Sequence, residues 1–159
     1  MKQILIEEYT ANYNENNWVV SIRNAIAGLT AGQAAWRPGG ADNTIWEVVN
    51  HLIFWNERWL RGFRGLLDHP EENVTIDSFK SDWGDWQATS EKLYAVMDEW
   101  REQLDSATDE RLTSPVNDQY SVPWFSPLAQ QNIHNAYHTG QIVLLRKLQG
   151  SWYRSNGVS

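Results

Sequence analysis

The sequence predicts an all-α protein, more specifically an antiparallel four-helix bundle. Four long segments repeat apolar residues at helical spacing, and no segment alternates apolar and polar residues as a strand would. Helices of about 22 to 27 residues would be roughly 33 to 40 Å long, which suits a bundle of this kind. The chain of 159 residues is expected to form one domain over residues 1–159.

The first helix is predicted from about residue 2 to residue 28. Gly28 is expected to end it, because glycine favours the backbone conformation that follows a helix. Residues 29–42, "LTAGQAAWRPGGAD", are predicted to form a loop after it, because the Pro38-Gly39-Gly40 run cannot continue a helix. The apolar residues that define this helix are Leu5, Tyr9, Tyr13, Val20 and Ala27.

The second helix is predicted from Thr44 to about Leu67. Thr44 and Glu47 have the spacing of a capping box, in which each side chain accepts a hydrogen bond from the other residue's backbone amide. His51 lies at the flank of the apolar stripe, one turn before Trp55. The stripe consists of Val48, Leu52, Trp55, Trp59, Phe63 and Leu66.

A further apolar group on the second helix lies away from that stripe, among arginine residues. It consists of Trp46, Ile53 and Leu60. Because an exposed apolar strip often marks an oligomer contact, the sequence predicts a homodimer through these residues.

The third helix is predicted over about Asp85 to Ser106 and the fourth over about Ser126 to Gln149. Ser126 is expected to cap the fourth helix, with Pro127 at its first position and Gly150 just beyond its end. The third helix has a buried seam of Trp86, Leu93, Met97, Trp100 and Leu104. The fourth has an apolar stripe of Ile133, Tyr137, Gly140, Leu144 and Leu148. The intervening segments, about 68 to 84 and 107 to 125, are predicted loops.

Charge and composition exclude several classes of function. The formal net charge is −7 and no cluster of Lys or Arg is present, which argues against nucleic acid or an anionic membrane as the main partner. No apolar run spans a bilayer and no signal peptide is apparent, so a cytoplasmic location is expected. The chain has no cysteine, and a metal ion would therefore need His, Asp or Glu ligands.

His134 and His138 lie one helical turn apart, and both can bind one metal ion if a third ligand comes from elsewhere. His51 is the natural third ligand because it also lies on a helix beside an apolar face. The alternative interpretation is that each is a half-buried histidine bonded to a carbonyl group. His69 lies in an acidic turn and is predicted to face solvent. Four nearby residues could orient a ligand or a substrate: Glu47, Asn50, Tyr137 and Gln141.

Two segments carry a resemblance to a known family: "NTIWEVVNHLIFWNERWL", which begins the second helix, and "NIHNAYHTGQIVLLRKLQG" in the fourth. The chain resembles the DinB superfamily, damage-inducible four-helix-bundle proteins, over residues 1 to about 150. The resemblance implies that His51, His134 and His138 hold a divalent metal ion such as zinc or nickel.

Three imidazoles would leave one position of a tetrahedral ion open, as in catalytic sites. The relatives include thiol-dependent transferases and isomerases. The resemblance therefore implies an S-transferase or a hydrolase that acts on a small molecule. For a transferase, a low-molecular-weight thiol would be the cosubstrate. The alternative is a non-catalytic binding module in which the metal is structural or absent.

Overall fold

The computed structural model describes residues 1–40, 42–72, 77–80 and 84–157. These residues form α-helices and a short 3₁₀-helix, Arg154–Asn156, with no strand among them. The α-helices are α1 Lys2–Tyr13, α2 Ile22–Ile26, α3 Ala31–Ala34, α4 Ile45–Phe63, α5 Trp86–Ser106, α6 Asp109–Thr113 and α7 Phe125–Leu148. The predicted all-α class is confirmed.

The four long helices, α1, α4, α5 and α7, contact one another in a closed ring. In this ring α4 packs on α5, α5 on α1, α1 on α7 and α7 on α4. The short helix α2 packs on α7, and α3 contacts α4 and α5. No helix in the described ranges is both long enough and apolar enough to cross a membrane.

Helix α1 is half as long as predicted, since it ends at Tyr13 rather than near residue 28. The side-chain oxygen of Asn16 accepts hydrogen bonds from the Ser21 amide (3.0 Å) and from Asn24 Nδ2 (2.9 Å). Asparagine side chains compete in this way with helical backbone bonds, so the chain turns before α2 begins.

Helix α4 begins as predicted and ends earlier. The Thr44 hydroxyl accepts from the Glu47 amide (3.2 Å), and Glu47 Oε2 accepts from the Thr44 amide (2.7 Å), which confirms the capping box. The helix stops at Phe63 because Gly65 adopts a φ of 70°, and the Leu66 amide then donates to the Arg61 carbonyl (2.8 Å).

Helix α5 matches its prediction closely. Asp85 caps it by accepting from the Gln87 amide (3.0 Å), and the helix runs from Trp86 to Ser106. All five residues of the predicted seam are buried. Burial of this apolar seam is the main contribution of α5 to the core.

Helix α7 departs from its prediction in two ways. It starts at Phe125 after Trp124, so Ser126 is not the cap. The predicted apolar stripe faces solvent, because Ile133, Tyr137, Leu144 and Leu148 are all exposed. The buried face of α7 is instead rich in polar residues: Gln131, Asn132, Asn135, His138, Thr139 and Arg146. Its end at Leu148, followed by Gln149 and by Gly150 with a φ of 74°, is within one residue of the prediction.

The predicted exposed strip on α4 is wrong, because Trp46, Ile53 and Leu60 are buried. Trp46 packs edge-to-face on Trp86 of α5, with ring centroids 5.4 Å apart, and its indole donates to Thr89 (3.1 Å). Helix α4 packs against both α5 and α7, so apolar residues on two of its sides are covered. A homodimer through this strip is therefore excluded.

Two short helices lie in segments predicted as loops, and both have caps in the sequence. Thr30 and Gln33 form a capping box at α3, and the Thr108 hydroxyl accepts from the Arg111 amide (3.1 Å) at α6. These helices have four and five residues, too few for a periodic apolar pattern to appear.

Arg146 is a buried cation that contacts no carboxylate among the described residues. Its guanidinium donates to the carbonyls of Ala25 (2.7 Å), Ala27 (3.0 Å) and Ser151 (2.9 Å). Two of these carbonyls lie at the C-terminal end of α2, where a positive charge is favourable. Arg146 thus joins α2, α7 and the segment that follows α7.

Candidate metal centre

The three predicted histidines meet at one point between α4 and α7. His51 Nε2 lies 2.9 Å from His134 Nε2, and one ring nitrogen of each of the three histidines lies within 4.8 Å of the other two. Ring centroids are 5.0 Å apart for His51 and His134, and 4.5 Å apart for each pair that includes His138. We call His51, His134 and His138 the histidine cluster.

Hydrogen bonds at the opposite ring nitrogens orient two of the imidazoles. His51 Nδ1 lies 2.7 Å from the Ser78 hydroxyl, and His138 Nδ1 lies 2.7 Å from Gln141 Oε1. An amide oxygen can only accept, so His138 carries its proton on Nδ1 and its Nε2 lone pair is free. His134 Nδ1 is buried and has no hydrogen-bond partner among the described residues.

The segment of residues 77–80 packs on His51. Phe79 stacks on the His51 ring with centroids 4.0 Å apart and planes 12° apart, and Ser78 accepts from or donates to the same imidazole. Asn50 Nδ2 donates to the Lys80 carbonyl (2.8 Å) and ties this segment to α4. The His51 ring is therefore fixed by contacts on its face and at its edge.

A buried pair of amides fixes α4 against α7 close to the cluster. Asn56 Nδ2 donates to Asn135 Oδ1 (2.9 Å), and Asn135 Nδ2 donates to Asn56 Oδ1 (3.1 Å). Both residues are fully buried. Asn135 is adjacent to His134 in sequence, and a shift of either helix by one residue would break both bonds. The pair thus sets the register that brings His51 level with the two histidines of α7.

Burial and mutual proximity keep the histidine cluster neutral. Burial, with the nearby His138 and His134, lowers the pKa of His51 to about 3. Burial and His138 lower the pKa of His134 to about 4, and burial also lowers the pKa of His138. Since a metal ion binds the neutral imidazole, few protons compete for these nitrogens at neutral pH.

The residues present fit a divalent metal ion. Two nitrogens bound to one tetrahedral ion at about 2.0 to 2.1 Å lie about 3.4 Å apart, and separations in the cluster run from 2.9 Å to at most 4.8 Å. The side chains are neutral, buried or half-buried, and held by outer hydrogen bonds, as is usual for histidine ligands.

An open cavity of about 420 Å³ adjoins the cluster and includes His134 in its wall. Its other lining residues are Trp55, Trp59, Pro127, Gln130 and Gln131, none of which is charged. Trp55 also lies edge-on to His51, with centroids 6.4 Å apart. Trp55 and Trp59, two residues of the predicted apolar stripe, thus form part of the wall of this cavity.

The other residues named from the sequence have mixed outcomes. Gln141 contacts His138 directly, and its Nε2 donates to the Tyr137 hydroxyl (3.2 Å). Glu47 does not reach the cluster, since it binds Thr44 and pairs with Arg37 (2.7 Å).

His69 lies outside the cluster. Its side chain is 33% exposed and Nδ1 lies 3.4 Å from Glu71 Oε1, so it reaches solvent as predicted but is partly covered.

Ser78 and Phe79 were not predicted as site residues. They lie in an irregular segment more than 25 positions from His51, without a motif or a periodic pattern. The sequence does not show that this segment packs on α4. The connecting hydrogen bond runs from Asn50 to a backbone carbonyl, which every residue has, so no particular side chain marks the contact.

Comparison with known proteins identifies a family for this chain. The sequence model of the DinB superfamily matches residues 20–142, a range that contains the whole histidine cluster. No curated protein and no solved structure has significant similarity to the chain.

Proposed function

The chain belongs to the DinB superfamily, and on that premise we propose that it is a metal-dependent enzyme of small-molecule chemistry. Its histidine cluster would hold a divalent ion, zinc or nickel, through three Nε2 atoms. The reaction would be transfer of a thiol sulfur to an electrophile or hydrolysis by water. The proposed fold is the antiparallel four-helix bundle of this family, supported by the ring of contacts among α1, α4, α5 and α7.

One observation carries the proposal: three imidazoles from two helices converge while hydrogen bonds hold the far nitrogens of two of them. Neutral histidines that are buried or half-buried and have lowered pKa values cannot form salt bridges at neutral pH and contribute little to the surface. Clusters of ionisable groups whose pKa values are shifted by burial and by one another are typical of functional sites.

When bound, a divalent ion lowers the pKa of a coordinated water or thiol and so supplies a nucleophile near neutral pH. The chain's residues supply the surroundings. Ser78 and Gln141 orient His51 and His138, and Phe79 and Trp55 shield the imidazoles from water. The chain has no cysteine, so a thiol nucleophile would come from a cosubstrate.

The cavity beside His134 supports an uncharged substrate. Two indoles form its apolar wall and two glutamine side chains offer amide groups for hydrogen bonds, with no ionisable group in the lining besides His134. A small electrophile with a flat apolar part would fit this volume and lining.

A second candidate function is a non-catalytic interaction module in which the ion is structural or absent. The exposed apolar residues of α7 favour it, because contiguous apolar surface often marks a contact with another protein. Removing the ion separates the two candidates. A chain of this size should keep its melting temperature largely unchanged if the ion is catalytic, and should unfold at a clearly lower temperature if it is structural.

The test is metal binding by protein purified without an affinity tag, then stripped with a chelator and titrated with Co²⁺. We expect one equivalent to bind with an intense visible band, and addition of a small thiol or azide should change that band. His138→Ala should lower the affinity at least 100-fold, because it removes one of three ligands.

His69→Ala is the matched control, since His69 lies outside the cluster, and it should bind like the wild type. Equal affinity for Co²⁺ in His138→Ala and wild type would refute the metal site. If Co²⁺ binds with the expected affinity but its visible band does not change on addition of thiols or azide, the enzymatic role is refuted and the metal site is not.

A further inference from the structure

An apolar stripe runs along the outside of α7. Its members are large and mostly exposed: Ile133 (71%), Tyr137 (63%), Leu144 (56%) and Leu148 (60%). The spacing along the chain keeps all four on one face of the helix, with Gly140 exposed between them. We call these four residues the outer stripe.

The helix that carries the outer stripe has no acidic residue, although the chain contains 20. Its two basic residues are Arg146, which is buried, and Lys147. Copies of an acidic protein usually repel each other through their carboxylates, and α7 has none that would do so. Two such faces can approach each other without bringing carboxylates together.

The positions of the stripe are symmetric about the middle of the helix. Tyr137 and Leu144 are equally far from the point between Gly140 and Gln141, and so are Ile133 and Leu148. Two copies of α7 related by a two-fold axis at that point would therefore pair Tyr137 with Leu144 and Ile133 with Leu148, twice each. Self-complementarity of this kind is the requirement for a symmetric dimer.

From this symmetry we propose that the protein forms a homodimer in which the outer stripes of two copies pack antiparallel. Gly140 lies at the crossing point. A β-carbon built on Gly140 meets no atom within 4 Å, so the fold itself does not require glycine there. Glycine costs about 1 kcal/mol in a helix relative to alanine, and close approach of a second helix gives it a use.

The outer stripe supplies part of the area that such a contact needs. The four side chains expose on the order of 450 Å², within the range of about 300 to 600 Å² for the largest apolar patch of a typical protein, which is often functional. That is about half of the roughly 800 Å² that each partner buries in a standard interface. Exposed neighbours on the same face, Gln130, Gly140 and Lys147, extend the surface in both directions.

The proposed interface borders the histidine cluster. Tyr137 lies edge-on to His138 with centroids 5.0 Å apart, and Gln141 joins the Tyr137 hydroxyl to His138 Nδ1. Packing of a second copy would cover this chain of contacts from the solvent side. The dimer does not depend on a bound metal ion, so its test uses metal-free protein.

The first test is the mass by sedimentation equilibrium at micromolar concentration. Wild type should have twice the 18.4 kDa mass of one chain, and Leu144→Glu should have the mass of one chain, because two carboxylates would enter an apolar contact. Ile4→Glu is the control, since Ile4 is equally exposed (62%) but lies on α1, and it should remain dimeric. A monomeric wild type, a dimeric Leu144→Glu, or dissociation by Ile4→Glu would each overturn the proposal.

The second test exploits the absence of cysteine from the chain. Gly140→Cys places its thiol beside the two-fold axis and should form a disulfide with the second copy under mild oxidation. Leu148→Cys should not, because two Leu148 positions would lie about 22 Å apart along antiparallel helices. Combining Ile133→Cys with Leu148→Cys should restore cross-linking. Cross-linking of Leu148→Cys alone, or none by Gly140→Cys, would refute this register.

Discussion

Helices α5 and α7 differ in the surface that they bury. The inner face of α5 is apolar from end to end, with Trp86, Leu93, Met97, Trp100 and Leu104. The inner face of α7 combines apolar residues such as Leu128 and Ile142 with six polar ones: two asparagines, one glutamine, one threonine, one histidine and one arginine. Four of its large apolar residues face outward. Both helices are long, and each contacts both α1 and α4 in the same ring.

The difference shows what each helix contributes. Apolar burial on α5 stabilises the fold with few geometric demands. A buried polar group is tolerated best where it has a partner, and several of those on α7 have one. Asn135 binds Asn56, the Thr139 hydroxyl donates to the Asn135 carbonyl (2.7 Å), and Arg146 donates to three carbonyls. Such bonds are directional, so α7 specifies the position of the histidines more than it stabilises the core.

The largest effect that tests this comparison is expected on α5. Trp100→Ala should lower the free energy of unfolding by about 3 to 5 kcal/mol, because it leaves a cavity. It also removes the indole that donates to the Asn56 carbonyl (2.9 Å). Urea unfolding of the metal-free protein measures the change. Trp18→Ala is the control, since Trp18 is 92% exposed, and it should stay within about 0.5 kcal/mol of wild type. A similar loss for both variants would contradict the assignment of Trp100 to the core.

A smaller loss is expected on α7, from a different cause. Asn135→Ala should cost about 2 kcal/mol, because the buried Asn56 oxygen loses its donor. A double-mutant cycle with Asn56→Ala should give a coupling energy of about 1 kcal/mol or more between the two residues. Gln130→Ala, at an exposed position of the same helix, should have little effect. Additive losses in the cycle would show that the amide pair does not join α4 to α7.

The effect that is smallest at pH 7 is expected from the histidine cluster, because its contribution to stability changes only as the pH falls. Between pH 6.5 and about 4 the unfolded chain takes up protons on the cluster histidines, whereas the folded chain does not because their pKa values are lowered. Stability of the metal-free protein should therefore be complete above about pH 6.5 and fall as the pH drops, by up to about 1.4 kcal/mol per pH unit for each histidine. His134→Ala should fall less steeply in urea unfolding between pH 7 and 5. Equal slopes for the two proteins would contradict neutral burial of the cluster.

Helix α5 and the start of α4 were predicted correctly because the residues that determine them are close together in the sequence and regularly spaced. Thr44 and Glu47 are three residues apart, and the seam of α5 repeats with helical spacing. The meeting of His51 with His134 and His138 was also predicted, from the spacing of two histidines and from the family resemblance.

The burial pattern of α7, with polar residues inside and the outer stripe exposed, could not be predicted in the same way. A search for apolar periodicity finds the outer stripe, because it takes apolar residues as buried and polar residues as exposed. The polar inner face depends on partners on other elements, such as Asn56 for Asn135. The early end of α1 has a similar origin, since the Asn16 side chain takes over backbone bonding. Ser78 and Phe79 reach His51 only through the tertiary path of residues 77–80.

The bonds of Arg146 have a practical consequence for shortening the chain. A protein cut after Gly150 would keep every cluster histidine and all of the family-matching region, and so would look complete by sequence. It would nonetheless lose the Ser151 carbonyl that accepts from the guanidinium and the Trp152 ring that lies 5.2 Å from it. The residues after α7 therefore cover a buried positive charge. Deleting them would expose the contact between Arg146 and α2 to water.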